Sequence, residues 1–505
     1  MKFLRLIVPW LLVIVIILAA LYLPDLGPEN YKDFDSLFAN ERVRQGIAGY
    51  EVAIIKDGEI AFNEAYGFDG QRKPLEKSTP LYLGPASEIL TGTLLCQFVN
   101  EKKIALDVPI AQFIPDLASL KAKRSGAASL DMPLTLRQLA AHRVAFPEKD
   151  LPDYDPEATG LEAGLPDPEL FLRSHFPTEN YTRSRLSYRI VGAILEKVSN
   201  RKYSDLLESM ITIPLGMHLT TARPSSIENI AVGAGSFFGL TFPYLEKVPY
   251  DAAASDGIVT TSEDMAKFLK FVVSPERGQN IPGLASSQTP LLYQALYKDG
   301  DTGFGWRIVD SKKGRYIFQG GSIRGYSSRI VIYPERNAAI VILTSQDGII
   351  ISNFLLPTLV SCAEQILFNG ESRRPFPTQR AELVAGFVFL IYLLSKIFQI
   401  QSSYSWARDL LKYRETGRSQ LYVRLVLVRT IIGLLLRILI VVLAPVGARA
   451  LVGRPVSYQE LIAFEPGVSS MLMTALLFGA FSQYQQTRDD RTVAPFVKRM
   501  LLNLS

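Results

Sequence analysis

Two extended, apolar-rich runs at residues 50–55 and 59–65 flank Asp57-Gly58, and this pattern predicts a β-hairpin. Thr91, Leu94, Leu95, Phe98 and Val99 then recur at helical spacing, and a polar end follows at residues 100–103. A buried helix is predicted there, with a short extended exit over 104–110. Residues 315–318, 328–333 and 338–344 read as successive strands, and 350–368 as a closing helix. Together these elements define one globular unit over 27–370. Within it, residues 145–180 are rich in Pro, Asp and Glu and read as a solvated loop.

Outside that unit the pattern changes. Residues 6–23 form a nearly continuous apolar run behind Lys2 and Arg5, with no small-x-small cleavage site after it, so 1–26 is predicted to be an uncleaved anchor. A linker is expected at 371–382. Apolar runs at 383–400, 425–446 and 466–484 then predict a C-terminal membrane region over 383–505, with about three spans. Arg408, Lys412, Arg414, Arg418 and Arg424 lie in one connection, and Arg488, Arg491, Lys498 and Arg499 in the tail. Only Arg449 and Arg454 lie in the other. By the positive-inside rule both termini face the cytoplasm and the globular unit lies outside it, in the inner membrane of a bacterium; Arg373, Arg374 and Arg380 pull the other way. Arg437, near the middle of a span, is expected to face a partner or water rather than lipid.

Composition narrows the chemistry. The net charge of +5 sits largely beside apolar runs, which points to membrane topology and away from nucleic acid. The only two cysteines, Cys96 and Cys362, fall in predicted helices and read as buried free thiols. With three histidines and no Cys/His cluster, neither a metal site nor a cofactor is expected.

Residues 81–110 resemble the nucleophile helix of the serine β-lactamase and penicillin-binding-protein superfamily, in its class C and esterase-like branch. Further landmarks follow in order: residues 134–142 (LTLRQLAAH), 187–198, Pro214-Leu-Gly-Met217, 255–265 (SDGIVTTSEDM, where the family writes AGGLVSTARDM), Gly303-Phe-Gly-Trp306 and Pro334-Glu-Arg-Asn337. The resemblance implies an α+β fold, with an antiparallel sheet flanked by helices and an inserted helical region. It also implies that strands from both ends of the unit are neighbours in the sheet. In the family, a serine attacks a carbonyl and a lysine one turn later shares its proton.

Here the residues that carry this chemistry differ. Pro85 stands at the serine position and Glu88 at the lysine position; taking Ser87 as nucleophile puts Leu90 at the base position. The Tyr-Ser-Asn motif falls on Arg183-Ser184-Arg185, and the third motif on Gln319-Gly320-Gly321. His142 is a packing residue at its landmark in the family. The resemblance therefore implies the fold without the family's acyl-enzyme route. Four roles stay open. Glu88 could pair with Arg183 and Arg185 as a structural plug. Arg183, Arg185, Ser87, Ser184 and Gln319 could bind an anionic or peptidoglycan-derived ligand, or the unit could dock a membrane protein. Alternatively, Ser87 or Ser184 could serve a divergent hydrolase.

Overall fold

The computed structural model describes residues 28–114, 134–146, 161, 176–178, 181–237, 239–244, 252–276, 279–311, 314–377 and 386. The runs at 6–23, 425–446 and 466–484, all but one residue of 383–400, Arg437, and most of 145–180 lie outside them.

The described chain begins with a short strand, β1 (Asn30–Tyr31), and a helix, α1 (Phe34–Gln45). Asp33 caps α1 by accepting the Ser36 N–H at 2.7 Å, and Gly46 closes it in the left-handed conformation. The expected hairpin follows as β2 (Gly49–Lys56) and β3 (Glu59–Gly67). Asp57 and Gly58 both have positive φ, 52° and 77°, as a tight hairpin turn requires. The nucleophile-type helix is α2 (Ser87–Asn100). A short helix, α3 (Leu136–Ala140), carries a Thr135–Gln138 capping box, and α4 (Arg185–Ser199) and α5 (Ser262–Val273) complete this side.

Four strands then run in succession: β4 (Arg307–Ser311), β5 (Gly314–Ile323), β6 (Tyr326–Tyr333) and β7 (Ala338–Thr344). A helix, α6 (Leu356–Asn369), and a strand, β8 (Ser372–Arg373), end the unit. The main sheet is six-stranded and antiparallel in the order β4-β5-β6-β7-β2-β3. Strands from both ends are thus neighbours: β7 pairs with β2, with Ile340 opposite Ile54. β8 lies inside the stretch that reads as a linker; it pairs with β1, Asn30 opposite Arg373 and Tyr31 opposite Ser372. The exit over 104–110 is built of turns and a short 3-10 segment instead of an extended strand, with Pro109 bridging Thr135.

One face of the sheet, with Val52, Ile54, Val331, Ile340 and Ile342, packs against Leu37 and Phe38 of α1 and Leu356, Leu359 and Ala363 of α6. The other face, with Ala53, Ile55, Ile330, Ile332 and Val341, meets Met265, Phe268 and Leu269 of α5 and continues into the core around α2 and α4. The helix over Ile351–Asn369 is long and apolar enough to cross a membrane, yet half of it is buried here and it packs on the sheet. Cys96 and Cys362 are buried free thiols in the cores on opposite faces, so the sheet separates them.

Glu51 is fully buried on β2; one carboxylate oxygen accepts the Ser262 N–H at 2.7 Å and the other has no partner. Burial holds its pKa well above the usual carboxylate range, against the pull of that hydrogen bond. The unfolded chain releases this proton near pH ~4.3, whereas the folded chain keeps it. Stability is therefore fully present below that pH and is lost as pH rises toward the folded value. Glu51→Gln is expected to remove this slope, so its Tm advantage over the parent should widen from pH 5 to pH 8. A constant difference across that range would contradict the assignment.

Candidate functional site

The site lies where the first turn of α2 meets β5 and the turn before α4. Gly84, Pro85 and Ala86 form a 3-10 turn that runs directly into α2. Proline suits such a helix start because its fixed φ is already helical. Every residue from Ser87 to Phe98 is buried, so α2 is enclosed on all sides. The Pro85 ring lies against β5: a Cβ on Gly321 would sit 2.8 Å from Pro85 Cγ. At the position read from the sequence as that of a nucleophilic hydroxyl, the structure has this apolar ring.

Glu88 has no exposed surface. Its Oε2 accepts from Gln319 Nε2 at 3.0 Å and from His142 Nε2 at 3.1 Å, and its Oε1 accepts from Arg183 Nη2 at 3.2 Å. The His142 tautomer follows from the other side of the ring: Nδ1 accepts the Ser184 N–H at 3.3 Å, so Nε2 carries the proton and donates to Glu88. Gln319 is held in turn, donating to the Gly305 carbonyl at 2.9 Å and accepting from the Gly320 N–H at 3.0 Å. Arg183 also reaches Asp256 Oδ1 at 3.4 Å, and Asp256 Oδ2 accepts from Ser255 Oγ at 2.7 Å.

Aromatic rings enclose the cluster. His142 lies between Tyr181 and Tyr188, with ring centroids 5.2 and 5.1 Å away, and the Arg307 guanidinium stacks 3.8 Å from the Tyr181 centroid. Burial, and then the charge of Glu88, push both tyrosine hydroxyls above their usual pKa. Burial pulls Arg183 down, but Glu88 and Asp256 more than offset it, and the guanidinium stays charged. The site is a closed polar cluster whose donors converge on one carboxylate.

The remaining residues singled out from the sequence take simpler places. Ser87 Oγ is buried and accepts the Ile258 N–H at 3.2 Å, which ties the start of α2 to the turn at 253–258. Ser184 is the N-cap residue of α4, and its hydroxyl is buried without a hydrogen-bond partner. Arg185 opens α4, and Glu88's hydrogen-bond partners are His142, Arg183 and Gln319 instead. Gly320 and Gly321 continue β5 opposite Arg329 and Ser328.

Two members of the cluster escaped the sequence reading. His142, read there as a packing residue, is a direct donor to Glu88. Asp256 stands where the family pattern has glycine, and a new acid at a family glycine was the signal that could have found it. Among the described residues, no group of three or more His, Cys, Asp and Glu gathers to hold a metal.

The Beta-lactamase family profile matches residues 34–354, and the chain belongs to that family. Among curated relatives, Protein flp of Staphylococcus aureus strain MW2 is 20% identical over 325 residues, covering 63% of this chain and 63% of that protein. Unguisins hydrolase ungD' of Aspergillus campestris is 22% identical over 343 residues, covering 63% and 62%. The chain thus spans a little under two thirds of the length of these relatives. Among solved structures, the octameric penicillin-binding protein homologue from Pyrococcus abyssi has the same fold, with a TM-score of 0.51 at 19% identity, covering 62% of this chain and 72% of that one.

Proposed function

We propose that this chain is a membrane-tethered, noncatalytic member of the β-lactamase family, retained for binding at the bacterial cell envelope, with its globular unit outside the cytoplasm. One observation carries the reading. The position of the family's basic lysine holds a buried acid that His142, Arg183 and Gln319 already satisfy. The neighbouring nucleophile position holds a proline ring packed on β5. An amine base beside a hydroxyl can pass a proton; a carboxylate held by a guanidinium beside a proline cannot.

The same geometry ranks the binding roles. Arg183 already bonds two carboxylates, Glu88 and Asp256, so an anionic or peptidoglycan-derived ligand would have to displace one of them. Docking of a membrane-protein partner needs no such displacement and is the role preferred here. Arg437, predicted within a span, is a natural contact for such a partner.

A divergent hydrolase is the second reading, favoured by a specific arrangement. Glu88, His142 and Ser184 are linked in the order acid–imidazole–serine, although His142 Nδ1 meets the Ser184 N–H and not its hydroxyl. Treating the folded, detergent-solubilised full chain with a fluorescent penicillin and a fluorophosphonate, and measuring its intact mass, separates the two. No adduct is expected. An adduct mapped to Ser184 would establish the hydrolase and overturn the noncatalytic reading.

A further inference from the structure

Exposed apolar side chains gather at the end of the globular unit where both chain termini leave it. Val43, in the last turn of α1, is 61% exposed, Phe68, just after β3, 44%, and Phe376, just after β8, 67%. Local hydrogen bonds hold the segments that carry Phe68 and Phe376 against the end of α1 that carries Val43. Arg44 donates to the Pro375 carbonyl at 3.2 Å and Gln45 to the Phe376 carbonyl at 3.0 Å, strapping the outgoing chain across the end of α1. The Phe68 N–H donates to the Ala48 carbonyl at 2.9 Å, and the Arg42 side chain donates to that same carbonyl while lying 6.0 Å from the Phe68 ring. Single exposed apolar residues need no explanation, but several around one chain exit mark a contact surface.

We infer that this end of the unit, with Val43, Phe68 and Phe376 at its centre, rests on the lipid bilayer surface. The inference relies on the membrane tethers of the proposed function. Two observations select lipid as the occupant. First, the tethers are short: residues 24–29 separate the first apolar run from β1, and 377–382 separate Phe376 from the second. Each six-residue stretch spans at most about 20 Å when fully extended. Such tethers hold the surface at high effective concentration beside the bilayer, so a contact too weak to bind from solution still forms. Second, the charge is complementary. Arg42, partly exposed, adjoins Val43, and Arg373, exposed, lies three residues before Phe376. Arg373, Arg374 and Arg380 oppose the topology predicted from the loops; anionic headgroups beside this end of the unit would favour positive charge on that side of the membrane.

The test uses the full chain reconstituted in phosphatidylglycerol-containing nanodiscs. Val43→Cys, Phe68→Cys and Phe376→Cys are each labelled with an environment-sensitive fluorophore and read with nitroxide-bearing lipids. Asp310→Cys, on edge strand β4 at the opposite edge of the sheet from β3, is the reference; the Asp310 side chain is 82% exposed. The labelled parent chain sets the background from Cys96 and Cys362. Quenching at 43, 68 and 376 is expected to exceed that at 310 at least threefold. If the chain resists alkaline extraction from membranes but the three probes are quenched no more than 310, the docking face is overturned and the membrane reading stands. If alkali extracts the chain, the tether reading fails and takes the docking face with it.

Discussion

Replacing Glu88 by alanine is expected to lower the stability of the folded unit by about 3–5 kcal/mol, the range for breaking a buried ion pair. The loss comes from what stays behind. Arg183, His142 Nε2 and Gln319 Nε2 all donate to this carboxylate, and two of the three have little access to water. Arg183, with 31% of its side chain exposed, recovers part of its solvation, which favours the lower end of the range. Glu88→Lys, which restores the family residue, is expected to do worse, because it sets an ammonium among three donors. Urea denaturation of the purified chain checks both. A neutral effect for Glu88→Ala would show that the cluster does not hold the cleft closed.

A second large effect is expected at Gly305, which lies outside the cluster but fixes the height at which α2 presents Glu88. Gly305 has φ of 79°, and a Cβ there would overlap the Glu88 carbonyl oxygen and lie 2.9 Å from Ile89 Cα. Gly92 answers it from the helix: a Cβ there would overlap the Phe304 carbonyl oxygen. Helix and loop thus meet backbone to backbone, with a glycine on each side. Gly305→Ala is expected to lose about 1–3 kcal/mol from the strained φ and about 1–3 kcal/mol more from the overlap. It should also loosen the Gln319 bond to the Gly305 carbonyl. A measured loss below about 1 kcal/mol would mean that the loop moves aside freely, and that Glu88 is not held from this side.

The β2–β3 hairpin was legible because Asp57-Gly58 is a local instruction: two residues that accept positive φ between two extended runs. β5 was seen only over 315–318, since Gln319, Gly320, Gly321 and Ser322 carry no apolar signal; pairing with β6 carries the strand to Ile323. β4 was missed for a similar reason, as Arg307–Ser311 is a short edge strand with polar residues at both ends. The site divides along the same line. Pro85, Glu88, Arg183 and Gln319 could be placed because each occupies a family landmark. His142 and Asp256 also stand on landmarks, but on ones read as packing and turn positions and not as catalytic motifs, so their contacts with Glu88 and Arg183 show only in the packed structure. That α2 would be enclosed on every side depends on what packs around it, and its own pattern does not reveal this.

The pairing of β1 with β8 has a mechanical consequence. The two chain ends leave from the same end of a two-stranded ribbon, beside the Asn30–Arg373 pair, with Tyr31–Ser372 behind it. Forces that draw the ends apart load these pairs one after another, as in a zip, instead of sharing the load among them as shear would. The six-stranded sheet is not in that line of force. Pulling the two flanking chains apart would open this ribbon first, making it a mechanical fuse that spares the rest of the fold.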